Sequence, residues 1–244
     1  MNAFIVQSLS SAAVTVLNPL LSSPTALRFR KPKFTLISQA VRHFSISQLK
    51  VLDVGIANNS QSEWLAVFPK TLRYDGLDAW DAGSFRRNES VLDRTLSRFY
   101  QVNLDNCMPS AAIEDQYNII CASHVLEHLA HPYEVISDLL GLLDKGGILY
   151  LEYPSIASLR PSLLSSYNFY GDSTHVQPID SALVVDRCRG SRVRFHRAGK
   201  CLTIGKAIYS SGVALSRLLR MRQGWRGSLL YVAGMVDCCL IQKI

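Results

Sequence analysis

The sequence lacks any apolar run long enough to cross a membrane, although 48% of its 244 residues are hydrophobic. A membrane-spanning helix needs about 18 or more consecutive apolar residues, and no window of the chain reaches that length. Charged residues make up only 18% of the chain. This composition predicts a globular protein with a large core, which we place in the cytoplasm. Peripheral contact with a membrane surface stays open as an alternative.

The six cysteines form no recognisable framework. They lie mostly within apolar runs, and their spacing matches neither a set of disulfides nor a set of zinc ligands. The pattern is typical of free thiols in a reducing compartment. The sequence therefore predicts no metal site.

Acidic residues are absent from the first 50 positions, which carry six basic side chains. Residues 51–155 have a net charge of −8 and residues 156–244 a net charge of +9. Basic flanks attract an acidic small molecule, nucleic acid or anionic lipid, and they also occur as solvated faces without a partner. We rank nucleic acid low, because the chain shows no RNA-binding appendage and no base-holding motif such as Asn-Pro-Pro-Tyr.

The length fits one large domain better than two small ones. Residues 1–25 are rich in serine and contain no charged side chain, which is atypical of secretory and transit signals. We expect a flexible N-terminal extension over 1–25 and one domain over 26–244. Within that domain, residues 156–235 form a substrate-side segment with a helical insertion. The sequence does not predict the oligomeric state.

Strand-like segments alternate with intervals of helical length. The predicted strands are Lys50–Gly55, Leu72–Asp78, Phe99–Leu104, Tyr117–Ser123, Ile148–Glu152, Ser191–Gly199 and Val236–Ile244. Apolar residues at three- and four-residue spacing predict helices over Ala26–Gln48, over His131–Gly147 with the two glycines at its end, over Ala207–Met221 and over Ser228–Val236. This alternation predicts an α/β fold with a parallel sheet covered by helices.

Glycine is scarce where the first predicted strand ends, in "VLDVGIANNS". Asp53 and Gly55 stand at the strand end, where a parallel sheet binds its ligand. Asp78, at the end of the second strand, is placed to accept both hydroxyls of a ribose. An acid about twenty residues after a glycine turn also marks dinucleotide sites. These features alone therefore predict a nucleoside ligand of either kind.

A longer sequence pattern favours one of these two kinds of nucleoside ligand. The run "YNIICASHVLEHLAHPYEVISDLLGLLDKGGILYLEYPS", together with "VLDVGIANNS", "YDGLDAWD" and "RFYQVNLDN" in this order, resembles the class I S-adenosylmethionine-dependent methyltransferases. The resemblance covers residues 26–155. It implies a Rossmann-like fold with helices on both faces of a seven-stranded, mostly parallel sheet whose last strand is antiparallel. It also implies S-adenosylmethionine as the cofactor, and we expect a small-molecule acceptor, with the basic C-terminal third pointing to an anionic one.

The resemblance implies a role for particular residues. The methionine part of the cofactor would contact Asp53, Gly55 and Ala57, and its ribose would contact Asp78. Its adenine would be flanked by Asn103 and Leu104, and its sulfonium would face Ser123 and His124.

Several positions depart from the family pattern. The usual Gly-x-Gly-x-Gly loop has Ala57 and Asn59 in place of its second and third glycines, while Asn103 and Asn118 replace frequent acids. Ala57 is the smallest departure from glycine, and Asn tolerates left-handed backbone. These changes motivate a first alternative, a catalytically inactive partner protein. A lower-ranked alternative is an NAD-dependent oxidoreductase, which would lack the reversed last strand.

Histidines are the candidate catalytic residues, because an ordinary imidazole can remove a proton from the acceptor near neutral pH. We name His124 and His175, and interpret His128 as a brace at the start of a helix. Glu127 is expected to bond nearby backbone. Trp80 either stacks beside the adenine or packs in the core.

Overall fold

The computed structural model describes residues 23–56, 60–69, 72–80, 96–160, 162–163, 165–219 and 228–244. Its strands are β1 (Leu49–Val54), β2 (Leu72–Asp78), β3 (Leu96–Gln101), β4 (Tyr117–Ser123), β5 (Leu143–Pro154), β6 (Val193–Lys200) and β7 (Val236–Lys243). Its α-helices are α1 (Pro24–Arg30), α2 (Pro32–His43), α3 (Ser60–Val67), α4 (Pro109–Ala112), α5 (Pro132–Gly141), α6 (Ser181–Arg187) and α7 (Ile204–Leu219). Three short 3-10 helices cover Leu126–His128, Ile156–Leu159 and Phe169–Gly171.

The described strands form one seven-stranded sheet in the order β3-β2-β1-β4-β5-β7-β6. The pairs from β3 to β5 are parallel, whereas β7 is antiparallel to both of its neighbours. This topology confirms the predicted Rossmann-like methyltransferase fold. It contradicts the oxidoreductase alternative, which required a sheet without the reversed last strand.

Two apolar layers cover the sheet. On one face, α1, α2 and α3 bury residues such as Phe34 and Trp64 against the central strands. On the other face, α5 packs through Val135, Ile136 and Leu139. The central strands are buried on both sides, which explains why they appear in the sequence as continuous apolar runs. No described helix is both long and apolar enough to span a bilayer.

The helix predicted over Ala26–Gln48 is wrong in one respect, because it is two helices. Lys31 separates them with extended backbone, at φ −112° and ψ 111°. The residue before a proline avoids the helical region, because the proline ring clashes with its backbone. Pro32 then begins α2, where its missing N–H costs nothing.

Two other predicted helices are also wrong, one at its end and one over its whole length. The helix expected to end at Gly146-Gly147 ends at Gly141, and β5 has already begun at Leu143. The two glycines instead lie at a register irregularity between β4 and β5, and a Cβ at Gly147 would lie 2.8 Å from the Asp144 carbonyl oxygen. The helix predicted over Ser228–Val236 is a series of turns, which Gly234 closes with φ +71°.

Asn118 lies at the amino end of β4, far from the carboxyl ends where the ligand is expected. Its Oδ1 accepts the Lys50 N–H at 2.8 Å, and its amide donates to the Gln48 carbonyl. The side chain therefore fastens the start of β1 to β4. A departure from the family pattern here does not bear on cofactor binding.

The role of Asn118 can be tested by introducing the acid that the family pattern often has there. We expect Asn118→Asp to lower the free energy of unfolding by about 1–3 kcal/mol, because the carboxylate cannot donate to the Gln48 carbonyl. Urea unfolding measures the change, with the exposed Asn106→Asp as the matched control. An equal loss in both variants would contradict the assignment.

Candidate functional site

A cleft of about 1040 Å³ opens at the carboxyl ends of the parallel strands. It lies where the strand order reverses between β1 and β4, which is the position at which open α/β sheets bind ligands. Residues from β1, β2, β4 and β5 and from the segment directly after β3 line its floor. The α1–α2 junction, the start of α7 and the turn before β7 contribute to its walls.

The turn after β1 is built around Gly55. Its φ is +72°, and a Cβ there would lie 2.2 Å from Cγ2 of Val125. Only glycine fits both constraints. The neighbouring Asp53 is 1% exposed, and its Oδ2 accepts from Trp64 Nε1 at 3.0 Å and from the Tyr74 hydroxyl at 2.8 Å. Asp53 is thus a fixed carboxylate in the cleft floor.

Asp78 ends β2 on the opposite side of the same turn. Burial raises the pKa of its carboxyl, while backbone N–H groups of Trp80, Ala79 and Ile56 partly offset this effect. The Trp80 N–H lies 3.0 Å from Asp78 Oδ1. The Trp80 side chain is 70% exposed and lines the cleft, so it does not pack in the core. A flat ring beside a fixed carboxylate suits a nucleoside.

The rim beyond β3 carries the next two predicted residues. Asn103 is exposed, and its Oδ1 accepts the Asp105 N–H at 3.0 Å, which closes a tight turn. Leu104 is buried beneath it, and both residues line the cleft. Two other predicted positions, Ala57 and Asn59, lie outside the described residues.

The turn after β4 places His124 between two carboxylates. Ser123 pairs with Glu152 in the β4–β5 register, and His124 follows with φ +58°, a left-handed conformation that is uncommon outside glycine. Its Nδ1 lies 3.2 Å from Glu127 Oε1 and its Nε2 lies 3.4 Å from Glu152 Oε1. Carboxylate oxygens only accept, so both ring nitrogens carry protons.

The charges of this cluster stabilise one another. Burial lowers the pKa of His124, but hydrogen bonds to Glu127 and Glu152 outweigh it and raise the pKa to about 10. For Glu152 burial has the opposite effect and raises the pKa, but hydrogen bonds donated by His124, Tyr150 and Tyr231 lower it to about 2. The Tyr231 hydroxyl lies 2.5 Å from Glu152 Oε1. These contacts favour the protonated ring of His124, and its predicted catalytic role stays a prediction.

Lysine side chains enter the cleft from its walls. Lys31 pairs with Glu63 at 2.5 Å. Lys33 is buried, and although burial lowers its pKa, the charge of Asp53 and other nearby groups raises it overall. Burial lowers the pKa of Lys206, whose Nζ lies 4.1 Å from the centre of the Tyr231 ring. Among the described residues, neither Lys33 nor Lys206 forms an ion pair.

His128, His175 and Glu127 meet at one edge of the cleft. His128 Nδ1 lies 3.1 Å from the Thr174 carbonyl oxygen, so the ring braces that loop and not the start of α5. His175 is largely buried, with Nδ1 2.7 Å from the Phe169 carbonyl oxygen. Glu127 was expected to bond backbone, but its carboxylate bonds His124 instead.

Comparison with known proteins decides the family. Residues 26–184, more than half of the chain, match a family model described as a methyltransferase domain. The chain belongs to this methyltransferase family. With its class I sheet topology, it is an S-adenosylmethionine-dependent methyltransferase. No curated protein sequence matches it detectably.

Solved structures show the same fold. The plantazolicin methyltransferase BpumL in complex with SAH is 13% identical, with 98% of this chain and 90% of that chain covered and a TM-score of 0.53. Magnesium protoporphyrin IX methyltransferase from Synechocystis PCC 6803 with bound SAM is 12% identical, with coverage of 86% and 77% and a TM-score of 0.51. The N-methyltransferase NodS from Bradyrhizobium japonicum WM9, in complex with SAH, is 14% identical, with coverage of 87% and 87% and a TM-score of 0.51. At these identities the likeness establishes the fold of the methyltransferase and not its acceptor.

Sequence reasoning missed several residues of the cleft. The two lysines without ion pairs come from before β1 and after β6, and Tyr231 comes from the turn before β7. Glu152 lies in the run that carries the family resemblance, but nothing in its sequence position predicted its contact with His124. Only the antiparallel return of β7 beside β5 brings Tyr231 to Glu152.

The charge on His124 predicts a pH-dependent stability. Because its folded pKa of about 10 exceeds the ordinary 6.5, its stabilisation is complete below pH 6.5 and disappears as the pH rises through 10. Glu152 adds stabilisation that is complete above its ordinary pKa of 4.5 and is lost toward pH 2. We expect the wild type to melt a few degrees above His124→Asn at pH 6, with the gap closing toward pH 10.

Thermal unfolding of both proteins from pH 5 to 10 measures this gap. Asparagine is the chosen replacement because it tolerates the left-handed backbone at position 124. A gap that stays constant over the whole range would mean that His124 is not held as a cation.

Proposed function

We propose that the methyltransferase acts on a small-molecule acceptor that carries negative charge. The observation behind this proposal is the pair of ammonium groups, Lys33 and Lys206, that line the cleft without an ion pair in the described part of the chain. A charge removed from water without a partner is costly. Two such groups in one cleft suit two anionic ligand groups, one on the cofactor and one on the acceptor.

The cleft residues fit S-adenosylmethionine. Asp78 would accept the two ribose hydroxyls, and Trp80 would stack on the adenine, which Asn103 and Leu104 would flank. The methionine end carries an ammonium and a carboxylate, which suit Asp53 and Lys33 beside the Gly55 turn. Ser123 would lie near the sulfur. Ala57 remains a predicted contact outside the described residues.

Bound S-adenosylmethionine supplies an electrophilic methyl group on a sulfonium. The chain therefore needs mainly to hold the acceptor in line and to exclude water. We call the remaining part of the cleft the acceptor end, defined by His124, His128, Thr174, Lys206 and Tyr231. The cleft volume is at the upper end of the roughly 300–1,000 Å³ of small-molecule sites, which leaves room for a small acceptor beside the cofactor.

Electrostatics favour an anion at the acceptor end. The Lys206 ammonium lies over the Tyr231 ring, and His124 presents a second positive charge that is 42% exposed toward the cleft. Both N–H groups of His124 are taken by Glu127 and Glu152, so the ring would attract the acceptor through its charge. Carboxylate or phosphate acceptors, or an ionised hydroxyl, would meet both cations.

Cofactor binding can be tested without knowing the acceptor. We expect Asp78→Ala and Lys33→Met each to weaken binding of S-adenosylhomocysteine at least about tenfold, because a hydrogen bond to a charged group contributes about 1.5–3 kcal/mol. Isothermal titration measures the affinity. Lys145→Met, an exposed lysine at the start of β5, is the matched control and should bind like the wild type.

The acceptor class is tested by a screen of small carboxylates, phosphates and neutral analogues for S-adenosylhomocysteine release. We expect turnover with anionic compounds, and a loss of about tenfold or more in kcat/KM for Lys206→Met but not for Lys145→Met. Turnover of neutral amines alone, unaffected by Lys206→Met, would overturn the proposal. No measurable binding of either cofactor form to the wild type would favour the inactive alternative.

A further inference from the structure

Glu127, His128 and His175 gather at the edge of the acceptor end, where one ligand atom from each lies within 4.8 Å of the others. We infer that these three residues bind a divalent transition-metal cation. Two imidazoles and one carboxylate with open positions form a set that suits Fe²⁺, Co²⁺, Ni²⁺ or Zn²⁺ better than Mg²⁺ or Ca²⁺.

The carboxylate of Glu127 has an unmet need that a cation satisfies. The residue is 1% exposed, and its Oε1 lies 3.2 Å from His124 Nδ1. Its Oε2 is buried and has no hydrogen-bond partner among the described residues. A buried carboxylate oxygen without a donor is destabilising, because it has lost its hydrogen bonds to water without replacing them. A metal ion on Oε2 would remove this cost.

The two histidines are prepared as ligands. His128 Nδ1 lies 3.1 Å from the Thr174 carbonyl oxygen, and His175 Nδ1 lies 2.7 Å from the Phe169 carbonyl oxygen. Because a carbonyl oxygen only accepts, each Nδ1 donates to its carbonyl, and Nε2 is the ring nitrogen that is available to a metal. Metal-binding histidines have this same arrangement, with the second nitrogen fixed to a carbonyl or carboxylate.

Backbone contacts hold the two ligand segments together. Val176 and Gln177 donate their N–H groups to the Glu127 carbonyl oxygen at 2.8 and 3.3 Å. The Gln177 side chain donates to the Leu129 and Ala130 carbonyl oxygens at 3.0 and 2.7 Å. The cluster is therefore preorganised and not a chance approach of mobile side chains.

Little movement is needed to close the site. Metal bonds of about 2.0–2.2 Å allow two ligand atoms on one ion to be at most about 4.4 Å apart, and the three ligand atoms here already lie within 4.8 Å of one another. A metal would therefore need to draw them only slightly closer together. Asp172 lies nearby, with Oδ2 3.8 Å from His175 Nε2, and offers a further oxygen.

The cation would serve the acceptor. Three protein ligands leave positions open, and His128 and Thr174 line the cleft itself. An anionic oxygen of the acceptor can occupy an open position and be held beside the cofactor. This catalytic role rests on the proposed function, whereas the binding of the metal does not.

Cobalt is the probe, because its visible spectrum separates imidazole and carboxylate ligands from thiolates. The full-length chain, freed of any affinity tag and dialysed against a chelator, is titrated with Co²⁺ by calorimetry and absorption. We expect one Co²⁺ per chain without thiolate bands. Its affinity should fall at least tenfold in His128→Ala, His175→Ala and Glu127→Gln, since even partners of metal ligands contribute about 10–100-fold.

His131→Ala is the matched control, since His131 is exposed and precedes α5 without a side-chain capping bond, and it should bind cobalt like the wild type. Glu127→Gln guards against misfolding, because it keeps the side-chain shape, and circular dichroism should match the wild type. The inference is overturned by absence of Co²⁺ binding in the wild type, by a thiolate spectrum, or by undiminished binding in a folded Glu127→Gln variant. Cobalt binding without turnover of any anionic acceptor would refute the proposed function and leave the site standing.

Discussion

The buried carboxylate of Glu152 is the interaction around which the cleft is organised. Moving a carboxylate out of water costs several kcal/mol unless donors surround it. Here the donors are His124, Tyr150 and Tyr231, and each comes from a different part of the chain. Satisfying this one charge therefore fixes the turn after β4, the end of β5 and the turn before β7 in a single arrangement.

That arrangement explains the backbone strain at His124. A left-handed conformation costs a non-glycine residue of the order of 1 kcal/mol or more, and it persists only where surrounding contacts compensate. The imidazolium gains two carboxylates by adopting it. Gly55 also has a positive φ, but it has no side chain, and Val125 can therefore pack directly against its backbone. Both residues follow strands, β1 and β4, that are neighbours at the point where the strand order reverses.

The sheet and the residues at the strand ends could be predicted from the sequence, whereas the residues of the cleft walls could not. Strands β2 and β4 were predicted at their observed bounds. For β4 the signal was a nearly continuous apolar run, which is typical of a strand buried on both faces. Helix ends were less predictable, since Lys31 breaks one helix through a proline effect and Gly147 belongs to an irregular strand pair. Lys33, Lys206 and Tyr231 escaped prediction because their neighbours in space are far away in the chain. Asn118 is the converse case. It was suspected of weakening cofactor binding because it departs from the family pattern, but it lies at the opposite end of the sheet and links β4 to the start of β1.

The cleft contains both positive and negative side chains, and this mixture can be explained by the charges of its two proposed ligands. A sulfonium cofactor is cationic and its acceptor is here proposed to be anionic. An electrostatic potential of a single sign therefore cannot attract both of them. Glu127 lies at the boundary, with one oxygen on His124 and the other toward the proposed cation site. A cation on the second oxygen would be linked to the His124 ring by this one carboxylate. The negative charge of Glu127 would then lie between two positive charges at the acceptor end, and an anionic acceptor would be attracted to both of them.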